Sequence, residues 1–164
     1  MIINYITFVA DRPTDRPDVI PCPPGLFLVA LGVGLYLQWW MPLHPFPPVL
    51  ACAAGVVLSC TAVTIGIWGS VTMHRAGTNV RPDRPATALV TGGPFRFSRN
   101  PLYLSLITLY LGITLFFNAL WPLILLAPVL AFVHWGIVMR EERYLELKFG
   151  DAYRDYKTRV RRWI

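Results

Sequence analysis

Four stretches of this chain carry no Asp, Glu, Lys or Arg: residues 26–41, 49–71, 101–117 and 120–139. A helix that crosses the hydrocarbon core of a bilayer needs about 20 residues, with a range of roughly 17–25. The second and fourth stretches meet that length, and the first and third draw on flanking residues. Hydrocarbon offers no partner for backbone N–H and C=O groups, so each segment must satisfy its own, which leaves the helix. Composition points the same way. The chain is 55% hydrophobic and only 15% charged, against roughly a quarter charged in ordinary soluble domains. A soluble protein of 164 residues would run short of polar surface. The expected fold is all-α: a polytopic membrane helix bundle of about four transmembrane helices, with a cytosolic loop and C-terminal amphipathic helices, in a single domain over residues 1–164.

The connections set the topology. Pro42, Pro45, Pro47 and Pro48 break the chain between the first two stretches, and little more than Asn118-Ala119 separates the last two. A long polar loop, residues 72–100, joins the second stretch to the third, and a charged tail, residues 140–164, follows the fourth. All 15 Lys and Arg lie in the N-terminal segment, the long loop and the tail, as do all nine acidic residues. Four spans put these three segments on one face, which the positive-inside rule makes cytosolic. The expected localisation is integral, multi-pass, with cytosolic N- and C-termini. The net charge of +6 is thereby a membrane-side feature and not a nucleic-acid footprint. Residues Met1–Ala10 lack a basic start and precede Asp11, Asp15 and Asp18, which argues against a secretory signal and leaves room for a partial interfacial element. Cys22, Cys52 and Cys60 have no ligand spacing, so no metal site is expected.

In the tail, Leu145, Phe149, Tyr153, Tyr156 and Val160 recur at spacings of four, four, three and four, a single helical stripe. Gly150 suits the end of one helix and Asp151 the N-cap of a second.

The hairpin 101–139 begins where the long loop ends and ends where the tail begins, so it brings the two together. Arg99, Asn100 and Tyr103 stand at the mouth of one helix, and Arg140, Glu141 and Glu142 at the mouth of its partner. Two readings are open: a polar site at the lipid edge, or a solvated ring of snorkelling charges. His134 lies within the fourth stretch, seven residues before Glu141, or about two helical turns, so both can face one way. It is either a site residue or a neutral imidazole bonded to a neighbouring helix. His74 reads as interfacial, and His44 carries no weight. There is no GxGxxG or P-loop, and Gly92-Gly93-Pro94 is a turn.

The run Gly77-Thr78-Asn79-Val80-Arg81-Pro82, followed by residues 85–103 ending in Ser98-Arg99-Asn100-Pro101-Leu102-Tyr103, resembles the isoprenylcysteine carboxyl methyltransferase family within the membrane phospholipid methyltransferases. Glu141-Glu142, Phe149-Gly150-Asp151-Ala152-Tyr153 and Tyr156 complete the pattern, and Pro21-Cys22-Pro23-Pro24 is similar to bacterial members. The resemblance implies a methyltransferase using S-adenosyl-L-methionine, with the cofactor held between residues 77–103 and 140–160. It implies that Thr87, Ala88, Leu89, Val90, Phe95, Asn100, Pro101, Leu102, Tyr103 and Glu141 bind the cofactor; on chemical grounds Asn100 or Arg99 is expected to donate to its carboxyl group, and Glu142, Arg140 and His134 to serve the acceptor. Eukaryotic members carry an arginine for the substrate carboxylate one turn before the glutamate; here Ile137 stands there, with Arg140 close by. The implied acceptor is a small polar head on a lipophilic molecule: a prenylcysteine-type carboxylate, a lipid amine or a thiol. Membrane lipids are the other expected partners, and the oligomeric state stays open. The alternative reading is a non-enzymatic four-helix membrane protein with a basic cytosolic docking face. A reductase is the third reading, ranked last because sterol reductases, which share a related helix arrangement, are much longer.

Overall fold

A computed structural model describes residues 23–81 and 84–164. The interfacial element read at Met1–Ala10, and Cys22, lie outside the described residues. Helices α1 (Pro23–Trp40), α2 (Pro48–Arg75), α3 (Pro101–Phe116) and α4 (Leu120–Phe132) carry the four apolar stretches. α4 runs through a π-helical turn, Val133–Val138, into α5 (Met139–Phe149), and α6 (Asp151–Arg159) follows. A short 3-10 turn, Gly93–Arg96, lies in the long loop. No strand occurs among the described residues. Pro48 and Pro101 open α2 and α3, where the missing N–H costs nothing and the fixed φ suits a first turn.

α2 and α3 form the tightest pair, and small residues explain why. Gly55, Ser59, Ala62, Gly66 and Gly69 fall at spacings of four, three, four and three along one face of α2. A Cβ at Gly55 would stand 2.5 Å from the backbone nitrogen of Phe116, so the two backbones touch. In lipid, where apolar burial drives no association, such close approach supplies the packing energy. The buried Ser105 hydroxyl donates to the Ala62 carbonyl across the seam at 3.1 Å. α1 leans on α4 in the same manner, with Gly34 against the Pro122 backbone. Phe27, Leu31, Tyr110, Leu126, Val129 and Val133 fill the core between α1, α3 and α4, and the Tyr110 hydroxyl donates to Pro122 O at 2.9 Å.

At the end of the bundle away from the tail, the two short loops are stitched together. Gln38 donates to Leu43 O and accepts from the Leu120 N–H. Asn118 accepts from the Phe46 N–H and donates to Phe46 O. Leu28, Val29, Val33, Val49, Leu50, Val57 and Ile67 are exposed on the outer faces of α1 and α2, a surface fit for lipid and not for water. α2, with 28 residues, and the continuous helix Leu120–Phe149, with 30, are long and apolar enough to cross a bilayer. α1 with 18 residues and α3 with 16 are shorter.

Beyond the fourth apolar stretch the helix continues through the π-turn as α5 and carries the charged residues. One sequence expectation changes. Asp151 is not an N-cap: Gly150 holds that position at φ +52°, a conformation favouring glycine, and Asp151 is the first helical residue, paired with Arg154 at 2.9 Å.

Candidate functional site

The long loop folds back over α5 through side-chain bonds to its backbone. The buried Thr78 hydroxyl accepts from the Thr87 N–H at 3.0 Å, and Thr87 Oγ1 donates to Gly77 O at 2.6 Å. Asn79 donates to Pro85 O, and the Ala86 N–H donates to the Tyr144 hydroxyl on α5. From α6, the Tyr156 hydroxyl donates to Phe95 O at 2.7 Å. Burial pushes this phenol up to about 12, so it keeps its proton and stays a donor.

Two adjoining cavities result. A narrow one lies between the loop and α5–α6, and Ala88, Leu89, Val90 and Phe95 line it. A wider one, of about 550 Å³, runs along the start of α3 between the beginning of α1 and the last turns of α2. Pro23, Pro24, Gly66, Leu102 and Leu106 give it an apolar wall, and Ser70, Pro101 and Tyr103 also line it. Arg99, Asn100 and Glu141 line both cavities and so stand where the two meet. Thr87 lines neither; it is exposed, and its bonds hold the loop in shape.

The charged groups at this junction differ in what they are free to do. The Tyr103 hydroxyl donates to Glu141 Oε2 at 2.9 Å. Glu141 lies on the α5 extension beyond the apolar stretch, and burial pushes its carboxyl up to about 6, with the Tyr103 hydrogen bond pulling back and the Glu142 charge adding to the rise. Glu142 is buried and gripped by Arg162 through two parallel bonds, Nε to Oε1 at 3.0 Å and Nη2 to Oε2 at 2.9 Å. Arg99 Nη1 lies 3.3 Å from Glu142 Oε1, within ion-pair range. That contact lacks hydrogen-bond alignment, and Arg99 Nε and Nη1 are buried with no hydrogen-bond acceptor. Buried donors are nearly always bonded, and with Nε unpaired the Arg99 guanidinium keeps hydrogen-bonding capacity that Glu142 and the neighbouring Tyr153 hydroxyl do not use up. A solvated ring of charges would leave these groups in water, and the burial of Glu142 and Arg99 excludes that for this pair.

Three expected acceptor residues are placed differently from the sequence reading. His134 lines neither cavity; its Nε2 stands 3.5 Å from Arg162 Nη1 and its ring packs 6.1 Å from Trp163. The seven-residue spacing to Glu141 assumed an unbroken α-helix. The π-turn uses i→i+5 bonds, inserts an extra residue and shifts the register of everything beyond it. Arg140 is exposed and lines neither cavity, and Ile137 is fully buried in the core. Glu142 lines the narrow cavity, but both its oxygens are occupied by Arg162. The residue that the sequence reading missed is Arg162. In the run Arg159-Val160-Arg161-Arg162 it looks like one more solvated tail charge, and only the fold brings it to Glu142.

A profile of the phospholipid methyltransferase family matches residues 50–152, from α2 to the start of α6. A protein of Haemophilus influenzae, described only as uncharacterized, is 47% identical over 64 residues, 38% of this chain and all of its own length. Methanethiol S-methyltransferase 1 of Bradyrhizobium diazoefficiens is 26% identical over 160 aligned residues, 85% of this chain. The chain spans about half, 53%, of that enzyme's length. The matched region contains the long loop, the Arg99–Tyr103 motif and the Glu141-Glu142 pair, and on these grounds the chain belongs to the phospholipid methyltransferase family, with the isoprenylcysteine carboxyl methyltransferase-like pattern, as an all-helical membrane methyltransferase.

Proposed function

We propose that the protein uses S-adenosyl-L-methionine to methylate a lipophilic acceptor, with a thiol as the favoured head group. The observation that carries this reading is the pairing of Arg99 and Glu141 at the junction of the two cavities. The amino-acid end of the cofactor has a carboxylate and an ammonium group. Arg99 is a guanidinium lining both cavities, its Nε without an acceptor and its Nη1 in ion-pair range of Glu142, and Glu141 is a carboxylate with one oxygen held by Tyr103. Together they match that end, and charge-assisted bonds of this kind are the strong ones. The apolar lining of the narrow cavity, Leu89, Val90 and Phe95, fits an adenine ring. When bound, the cofactor supplies an electrophilic methyl group on a sulfonium.

The protein's own contribution is mainly to hold two reactants against each other. The wider cavity is apolar on α1, α2 and α3 and suits an acceptor with an apolar tail. Its polar end is Tyr103, Glu141 and Arg99. Glu142 and His134 are engaged with Arg162, so neither is placed to take a proton from an amine. That favours an acceptor anionic in its reactive form, a thiol or a carboxylate. Buried Ile137, where the eukaryotic enzymes carry an arginine, counts against the carboxylate. The name of the Bradyrhizobium relative supports the thiol.

The membrane arrangement belongs to the same proposal: four spans over α1–α4, both termini cytosolic, one domain, the cofactor reached from water and the acceptor from the bilayer. No nucleic acid enters it. Saturable binding of labelled S-adenosylmethionine to the purified protein in detergent is the expected result. No saturable binding would return the charged face to a docking surface and end the enzyme reading.

A further inference from the structure

We propose that Arg162 is a positioning residue: it sets up the recognition of the cofactor's amino-acid end while touching none of it. This rests on the cofactor reading above. Arg162 lies beyond α6 in a short strap that returns beneath the site. Its guanidinium holds both oxygens of Glu142, at 3.0 and 2.9 Å, and reaches His134 on the π-turn at 3.5 Å. Its carbonyl oxygen accepts from the Ser98 hydroxyl at 3.2 Å and from Asn100 Nδ2 at 3.1 Å. The neighbouring Arg161 carbonyl accepts from the Arg99 N–H at 3.0 Å.

The strap therefore grips the 98–100 turn on both sides of Arg99 and ties that turn to α5 through one side chain. Arg162 lines neither cavity. Its consequences are indirect and specific. Glu142, held by Arg162, stands 3.3 Å from Arg99 Nη1 in ion-pair range without an aligned hydrogen bond, and Arg99 keeps its place among the residues that line both cavities. The Asn100 amide is bonded to the strap, so at this motif position it anchors the turn. Without Arg162, Glu142 is a buried carboxylate with Arg99 as its nearest cation, and it would draw that guanidinium away from the cavity.

The test compares two ligands with purified Arg162→Ala in detergent. S-adenosylhomocysteine has the amino-acid end; methylthioadenosine has the adenosine and a thioether but no amino-acid end. The expected result is at least about tenfold weaker binding of S-adenosylhomocysteine, with methylthioadenosine changed less than about twofold. Equal weakening of both ligands means general damage to the pocket and overturns the assignment. So does unchanged affinity for S-adenosylhomocysteine. Should Arg162→Ala fail to fold, Arg162→Lys serves: it keeps the charge, loses the bidentate fork, and is expected to show the same selective loss at smaller size. A wild-type protein that binds neither ligand would instead count against the cofactor reading itself, which keeps the two failures apart.

Discussion

Tyr103 on α3 donates its hydroxyl hydrogen bond to Glu141 Oε2 on α5 at 2.9 Å, joining the helix that ends the long loop to the one that begins the tail. The bond holds one carboxylate oxygen of a residue that lines both cavities. If Glu141 receives the cofactor's ammonium, Glu141→Gln is expected to weaken S-adenosylmethionine binding about tenfold or more, since a hydrogen bond to a charged group is worth roughly 1.5–3 kcal/mol. Titration calorimetry measures it; unchanged affinity would make Glu141 a structural partner of Tyr103 alone.

The same carboxyl gives a pH dependence with a definite sign. Burial raises Glu141 to about 6 in the unliganded protein. An ammonium ligand favours the carboxylate and lowers that value in the complex. Cofactor affinity is therefore level above pH 6 and falls as pH drops below it, by up to about tenfold per unit, because one proton competes with one ligand. Glu141→Gln is expected to be flat across this range. A wild-type profile as flat as the variant's would separate the affinity from this group.

The α2–α3 seam should resist added volume at Gly55, whereas the exposed side of α1 should accept it at Gly32. A Cβ at Gly55 collides with the Phe116 backbone, which cannot move aside, whereas at Gly32 it meets nothing within 4 Å. Gly55→Leu is expected to cost at least about 1–3 kcal/mol, as overpacking does, and to lower the melting temperature in detergent. Gly32→Ala should leave it unchanged or raise it, as alanine is the better helix former.

Removing the extra residue of the π-turn should disconnect α5 from the site. Deleting Gly136 and closing the turn as α-helix rotates all that follows by about 100°, carrying Glu141 off the cavity wall and Glu142 away from Arg162. Loss of cofactor binding is expected with membrane insertion retained. Gly136→Ala, which meets only Phe132 at 3.7 Å, should bind normally. Binding preserved in the deletion would show that the turn does not set the register.

An acceptor drawn from the bilayer predicts a chain-length effect. A long-chain alkanethiol should be methylated much faster than its short-chain analogue at matched aqueous concentration, by roughly 0.8 kcal/mol for each further buried methylene. Equal rates would mean entry from water.

The sequence by itself determined the helices. Uncharged stretches of membrane length can satisfy their backbones in no other way, and prolines and Asn118 mark their ends. It also segregated every charge to three segments and carried the motifs of the family. It did not determine which charges meet. Helical periodicity placed His134 and Glu141 on one face, but a π-turn invisible in composition changed the register between them. Arg140 adjoins the glutamates in the chain, is exposed and lines neither cavity, while Arg162, 20 residues beyond Glu142, closes on it. Covalent neighbours on a helix are turned 100° apart, whereas a reversal of the chain can bring distant side chains to bonding distance. Which arginine is a surface charge and which holds the site was decided by the tertiary fold alone.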